Sequence, residues 1–105
     1  MKDVEKAIIG TMIHDPAYRR VVLDSLSPDD LSLYRGVFER ARKQDASGDF
    51  FTSSTLAKEG DYTRNDLDVL VAEALTSDED VDMCIRLLKD NATRQQLAKD
   101  AIKLK

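Results

Sequence analysis

The sequence predicts an all-α fold, a compact bundle of about six helices in a single domain. Three observations predict it. Leu, Ala, Lys, Arg, Glu and Asp dominate, while only four Gly and two Pro interrupt the 105 residues, a balance that favours helices over a sheet. Apolar residues recur at three- and four-residue spacing through most of the chain. The same helix-starting chemistry, a Ser, Thr or Asp followed by Pro or by an acid three residues on, recurs between those stretches.

Val4, Ala7, Ile8 and Met12 define the first helix, with Asp3 as its N-cap and an end near His14. Asp15 as N-cap and Pro16 at the first helical position, where a missing N–H costs nothing, open a second helix through about Leu26. Ser27, Pro28, Asp29 and Asp30 repeat the device and predict a third helix from Asp29 to Gln44, burying Leu33 or Tyr34 with Val37, Phe38 and Ala41. DASGDFF, residues 45 to 51, reads as a loop whose Phe50 and Phe51 plug the core. Thr52 or Ser53 caps a short fourth helix through Glu59. Thr63 with Asp66 starts a fifth over LDVLVAEAL, with Leu67, Leu70, Val71, Ala74 and Leu75 as its buried stripe. Ser77 with Asp80 launches the long last helix. DFFTSST is the best strand-like run, and it is short and ends in capping residues.

The last helix faces two ways. At about 100° per residue, Val81, Ile85, Leu88 and Ala92 line one side, whereas Leu97, Ala101 and Leu104 fall on the opposite side. Either earlier helices of the same domain wrap both sides, or the second side meets another subunit, another protein or a following segment, or the tail after Asn91 is frayed in the isolated chain.

Composition narrows the function. The formal net charge is −4, and an acidic domain gains little from the counterion release that drives nucleic-acid binding. A small helix-turn-helix DNA binder needs a basic recognition helix, but the most basic helix is the last, and the densest acidic run precedes it. No apolar run approaches a membrane span and the first residues lack a signal peptide's apolar segment, so a soluble, cytoplasmic protein is expected. Cys84 is the one cysteine and His14 the one histidine. Cys84 sits on an apolar stripe as a small hydrophobe, and His14 is placed to cap the first helix's carbonyls. No cofactor or metal site is expected: SDEDVD lacks the glycine and distal Glu of a calcium loop, and no phosphate-binding glycine motif occurs. Arg19-Arg20 and Arg40-Ala41-Arg42-Lys43 are expected on solvated helix faces rather than at phosphates. Nothing selects a catalytic pair among the carboxylates, and the chain is not expected to be an enzyme.

Taken in order, Glu5-Lys6-Ala7-Ile8-Ile9-Gly10-Thr11-Met12-Ile13-His14-Asp15-Pro16, Leu26-Ser27-Pro28-Asp29-Asp30-Leu31, Tyr34-Arg35-Gly36-Val37-Phe38, Gly48 through Leu56 and VDMCIRLLKDNATRQQLAKDAIKL resemble the N-terminal domain of replicative DNA helicases of the DnaB family. The match spans essentially the whole chain. It departs from the family pattern where Leu31 replaces the usual Phe, Tyr34 stands where His is common and about two residues are missing between them, as in a divergent phage or plasmid member.

The resemblance implies a helical bundle followed by a helical hairpin, with residues 1–92 as the globular part and 93–105 as the start of the hairpin arm. It also implies a small residue, Gly10, where a second helix comes close. It further implies dimers within the collar of a hexameric ring, and docking of primase or a helicase loader. ATP and Mg belong to a helicase domain that these residues do not contain, so the chain is expected to be a piece of that helicase. The alternative is a stand-alone phage or plasmid protein of the same fold that regulates a host helicase. The partner-binding residues expected on the outward side of the last helix are Leu87, Arg94, Leu97, Ala101 and Leu104.

Overall fold

The computed structural model describes residues 2–48, 52–57 and 62–103, with backbone alone at 53, 54 and 99–103. These residues are helical and contain no strand. The elements are α1 (Lys2–His14), α2 (Pro16–Ser25), a 3-10 turn (Pro28–Asp30), α3 (Arg35–Ser47), α4 (Ser53–Leu56), α5 (Arg64–Val71) and α6 (Asp78–Lys103). Five of them run two turns or more, against the six expected, because α4 is a single turn within the described residues. Phe50, Phe51 and Glu59, which the sequence placed in the core and at the end of the fourth helix, lie outside the described residues.

α1 is the centre of the bundle and packs against α2, α5 and α6. Its apolar residues are not confined to one stripe. Ile8, Ile9 and Met12 are fully buried and Ile13 nearly so, and together with buried Gly10 and Thr11 they surround the helix axis, as in a helix with neighbours on every side. α1 already begins at Lys2, so Asp3 lies in its first turn instead of capping it, where an acid still suits the helix dipole.

Two small features of α1 position α5 and the turn after it. A β-carbon at Gly10 would stand 1.9 Å from the Leu70 carbonyl oxygen, so the α1–α5 crossing exists only because residue 10 has no side chain. One position on, the Thr11 hydroxyl donates to the Ala7 carbonyl at 2.7 Å and accepts the Leu75 N–H at 2.8 Å. That bond replaces the one Leu75 would make in a continued helix. α5 accordingly stops at Val71, short of the expected stretch, and the N–H groups of Glu73 and Ala74 turn back to the Leu70 and Val71 carbonyls.

The expected third helix is divided. Its start becomes the Pro28–Asp30 turn, and α3 begins only at Arg35. Between them Leu31 and Tyr34 enter the core while Leu33 stays exposed. The cause is Glu5 of α1, itself buried, whose carboxylate accepts the N–H groups of Leu33 and Tyr34 at 2.6 and 2.8 Å and the Ser32 hydroxyl at 3.1 Å. A carboxylate from a distant helix thus satisfies the free donors at the start of α3, where negative charge suits the dipole. At its other end α3 runs past Gln44 to Ser47 and closes on Gly48 in the left-handed conformation, φ 74°.

The remaining starts agree with the sequence. Asp15 accepts the N–H groups of Ala17 and Tyr18 ahead of Pro16. Thr63 and Asp66 form a reciprocal capping box, and the Ser77 hydroxyl accepts the Asp80 N–H.

Candidate interaction face

The long helix α6 leans on the bundle through Val81, Ile85 and Leu88, all buried, and through half-buried Cys84, Asn91 and Ala92. Residues 93 to 98 are exposed in succession, although the helix continues without a break. Lys89 ties α6 to the 3-10 turn by pairing with Asp30 at 3.2 Å; Asp30 also accepts the N–H and hydroxyl of Ser27. Tyr18 of α2 anchors the helix start by donating its hydroxyl to Asp78 at 2.7 Å.

The opposite side of α6 carries apolar side chains with nothing of the described chain over them. Met83 is 57% exposed, Leu87 37% and Leu97 63%. Met83 and Leu87 line a shallow groove with Arg86, Lys89, Asp90 and Thr93. The described helices of the domain therefore do not wrap both sides of α6. Of the five residues expected on this side, Leu87, Arg94 and Leu97 lie on it and are exposed; the side chain of Ala101 and all of Leu104 fall outside the described residues. Met83 is an addition to that set: it stands four residues before Leu87 and extends the same line toward the helix start. The charges on this side are held in intrahelical pairs: Asp82 with Arg86 at 2.9 Å and Asp90 with Arg94 at 3.3 Å.

Other residues of interest in the sequence serve the fold. Of the residues expected on solvated faces, Arg20, Arg42 and Lys43 are exposed and Arg19 and Arg40 half-buried, and several arginines also close helix ends. Arg19 donates to the carbonyls of Met12 and Ile13 at 3.0 Å each, Arg35 to Pro28 and Leu31, Arg40 to Leu56, and Arg42 to Leu23 and Leu26 while lying over the Phe38 ring. Arg19 thereby takes the capping role assigned to His14, which is exposed. The guanidinium presents several N–H donors in one fork and so reaches two adjacent carbonyls at once. Arg20 pairs with Asp45. Burial, and secondarily Asp80, pushes the Cys84 thiol up, away from the thiolate that nucleophilic chemistry needs.

The corner where the sequence departs from the helicase pattern is well packed: Leu31 is buried, and Tyr34 stacks on Tyr62 with ring centroids 4.5 Å apart. Tyr62 in turn donates to the Leu33 carbonyl. Among the described residues no three His, Cys, Asp or Glu side chains gather as metal ligands would, and no helix is long and apolar enough to cross a membrane. Comparison with protein-family models, with curated proteins and with solved structures finds no match.

Proposed function

We propose that this chain is a non-catalytic interaction and oligomerisation domain, of the kind that forms the collar of a DnaB-like replicative helicase and receives primase or a loader. The observation that carries the interaction role is the line of exposed Met83, Leu87 and Leu97 on α6, opposite the stripe that closes the core. A helix that keeps apolar residues in water on its far side is built to be covered. The assignment to a helicase rests on the ordered sequence resemblance. In that setting α6 beyond Ala92 is the first limb of the hairpin arm, and ATP and Mg act in a separate domain.

The test is sedimentation of the chain over a concentration series, combined with titration of the cognate primase C-terminal domain. Association with itself or with primase is expected, and Leu97→Asp is expected to weaken it while leaving helicity unchanged. A chain that stays monomeric and ignores primase overturns the proposal.

A further inference from the structure

Among the described residues, two methionines stand in opposite surroundings. Met12 of α1 is fully buried in the core, whereas Met83 of α6 is 57% exposed. Met83 shares its groove with Arg86, Leu87, Lys89, Asp90 and Thr93, on the side of α6 that carries the exposed apolar line. It differs from the leucines of that line in one chemical respect: its sulfur can take up an oxygen and give it back.

The groove decides what an added oxygen does. A sulfoxide turns a flexible apolar side chain into a polar one, and its oxygen requires a donor once water is excluded. The donors that line the groove are already engaged. Arg86 pairs with Asp82 at 2.9 Å, Lys89 pairs with Asp30 at 3.2 Å, and the Thr93 hydroxyl donates to the Lys89 carbonyl at 3.0 Å. Under a covering partner, satisfying the new oxygen means sharing or breaking a contact within α6 or between α6 and the 3-10 turn. In the uncovered chain water solvates the same oxygen at little cost. Oxidation therefore penalises the covered state and leaves the free one almost unchanged, which is the differential that shifts a binding equilibrium.

We propose that Met83 is a site of reversible oxidation, at which a hydroperoxide converts the thioether to a sulfoxide and so releases the partner that covers the α6 groove. A sulfur lone pair attacks the outer peroxide oxygen. An S–O bond forms as the O–O bond breaks, the sulfur is oxidised by two electrons, and the departing oxygen takes up the proton and leaves as water or an alcohol. The adjacent sulfur competes poorly, because Cys84 is half-buried and its thiol is kept from the thiolate that peroxides attack. Met12 is shielded by the core. A covering partner also hides Met83 from solvent, so the reaction takes place on free chains and the partner protects against it.

This inference rests on the reading of the outer side of α6 as an interaction face and adds how that face is regulated. The test treats the chain with hydrogen peroxide, maps oxygen uptake by peptide mass, and follows association by sedimentation with and without the primase C-terminal domain. Met83 is expected to gain one oxygen well before Met12, and association to weaken by about tenfold or more. Methionine sulfoxide reductase with a thiol, but not the thiol alone, is expected to restore it. Met83→Leu is expected to associate as the parent does and to keep doing so after peroxide, with helicity by circular dichroism unchanged. Association that survives full oxidation of Met83 overturns the proposal while leaving the interaction face in place, and so does a Met83→Leu chain that peroxide dissociates as readily as the parent. An untreated chain that binds neither itself nor primase overturns both readings.

Discussion

The carboxylate of Glu5 stands 2.6 Å from the backbone nitrogen of Leu33 and 2.8 Å from that of Tyr34, so a side chain in the first turns of α1 sets where α3 begins. Replacing Glu5 with Ala leaves buried N–H groups without an acceptor, at a cost of about 2–4 kcal/mol. Glu5→Gln keeps one acceptor and is expected to lose about half as much. Urea unfolding measures both, and the two variants should rank in that order.

Gly10 fixes the spacing of α1 and α5. Gly10→Ala improves intrinsic helix propensity by about 1 kcal/mol, yet its methyl group would meet the Leu70 carbonyl, and the backbone cannot yield without separating the two helices. A net loss of about 1–3 kcal/mol is expected, visible as a fall in the melting midpoint. A neutral or raised midpoint would show that the crossing relaxes.

The arginines that close helix ends are expected to matter more than those on α6. Arg19→Met removes donors from two carbonyls and is expected to cost about 1–2 kcal/mol. Arg94→Met, which breaks an exposed pair within one helix, is expected to cost no more than about 0.5 kcal/mol. Thermal unfolding of the two variants side by side checks the contrast.

The Thr63 backbone N–H, and secondarily its hydroxyl, hold the Asp66 carboxyl below the usual carboxylate range. Its proton is therefore bound more tightly in the unfolded chain. The stabilisation is complete above the unfolded-state pKa and is lost as pH falls through the lower folded one. Asp66→Asn is expected to flatten the acid limb of stability below about pH 4, leaving the shape of the profile at neutral pH unchanged. A melting-midpoint profile from pH 7 to pH 2 for both proteins tests this.

Local chemistry was legible in the sequence wherever one element decides it. Asp15-Pro16, Thr63 with Asp66, and Ser77 with Asp80 start helices where their side chains imply, and Val81, Ile85 and Leu88 face the core as their spacing requires. The features that escaped depend on partners far along the chain. Nothing near residues 29 to 35 reveals that a carboxylate from residue 5 will break the helix there, and nothing near Leu75 reveals that the Thr11 hydroxyl will claim its N–H. Arg19 and Arg40 escape for the same reason, since a guanidinium at helical spacing reads as solvated until a neighbouring helix offers its terminal carbonyls. On the candidate face, the exposed side of Leu87 and Leu97 is visible from angle alone. Met83 is harder to see because it lies within the half of α6 that also closes the core.

The central place of α1 has a consequence during synthesis. α1 is enclosed by α2, α5 and α6, so Ile8, Ile9, Met12 and Ile13 lack much of their cover until the chain has been extended through Leu88. Much of the packing that buries them comes from α5 and α6, distant along the chain, so a nascent chain carries this apolar segment partly uncovered until those helices follow. The interior around α1 is therefore closed only once α6 has been made.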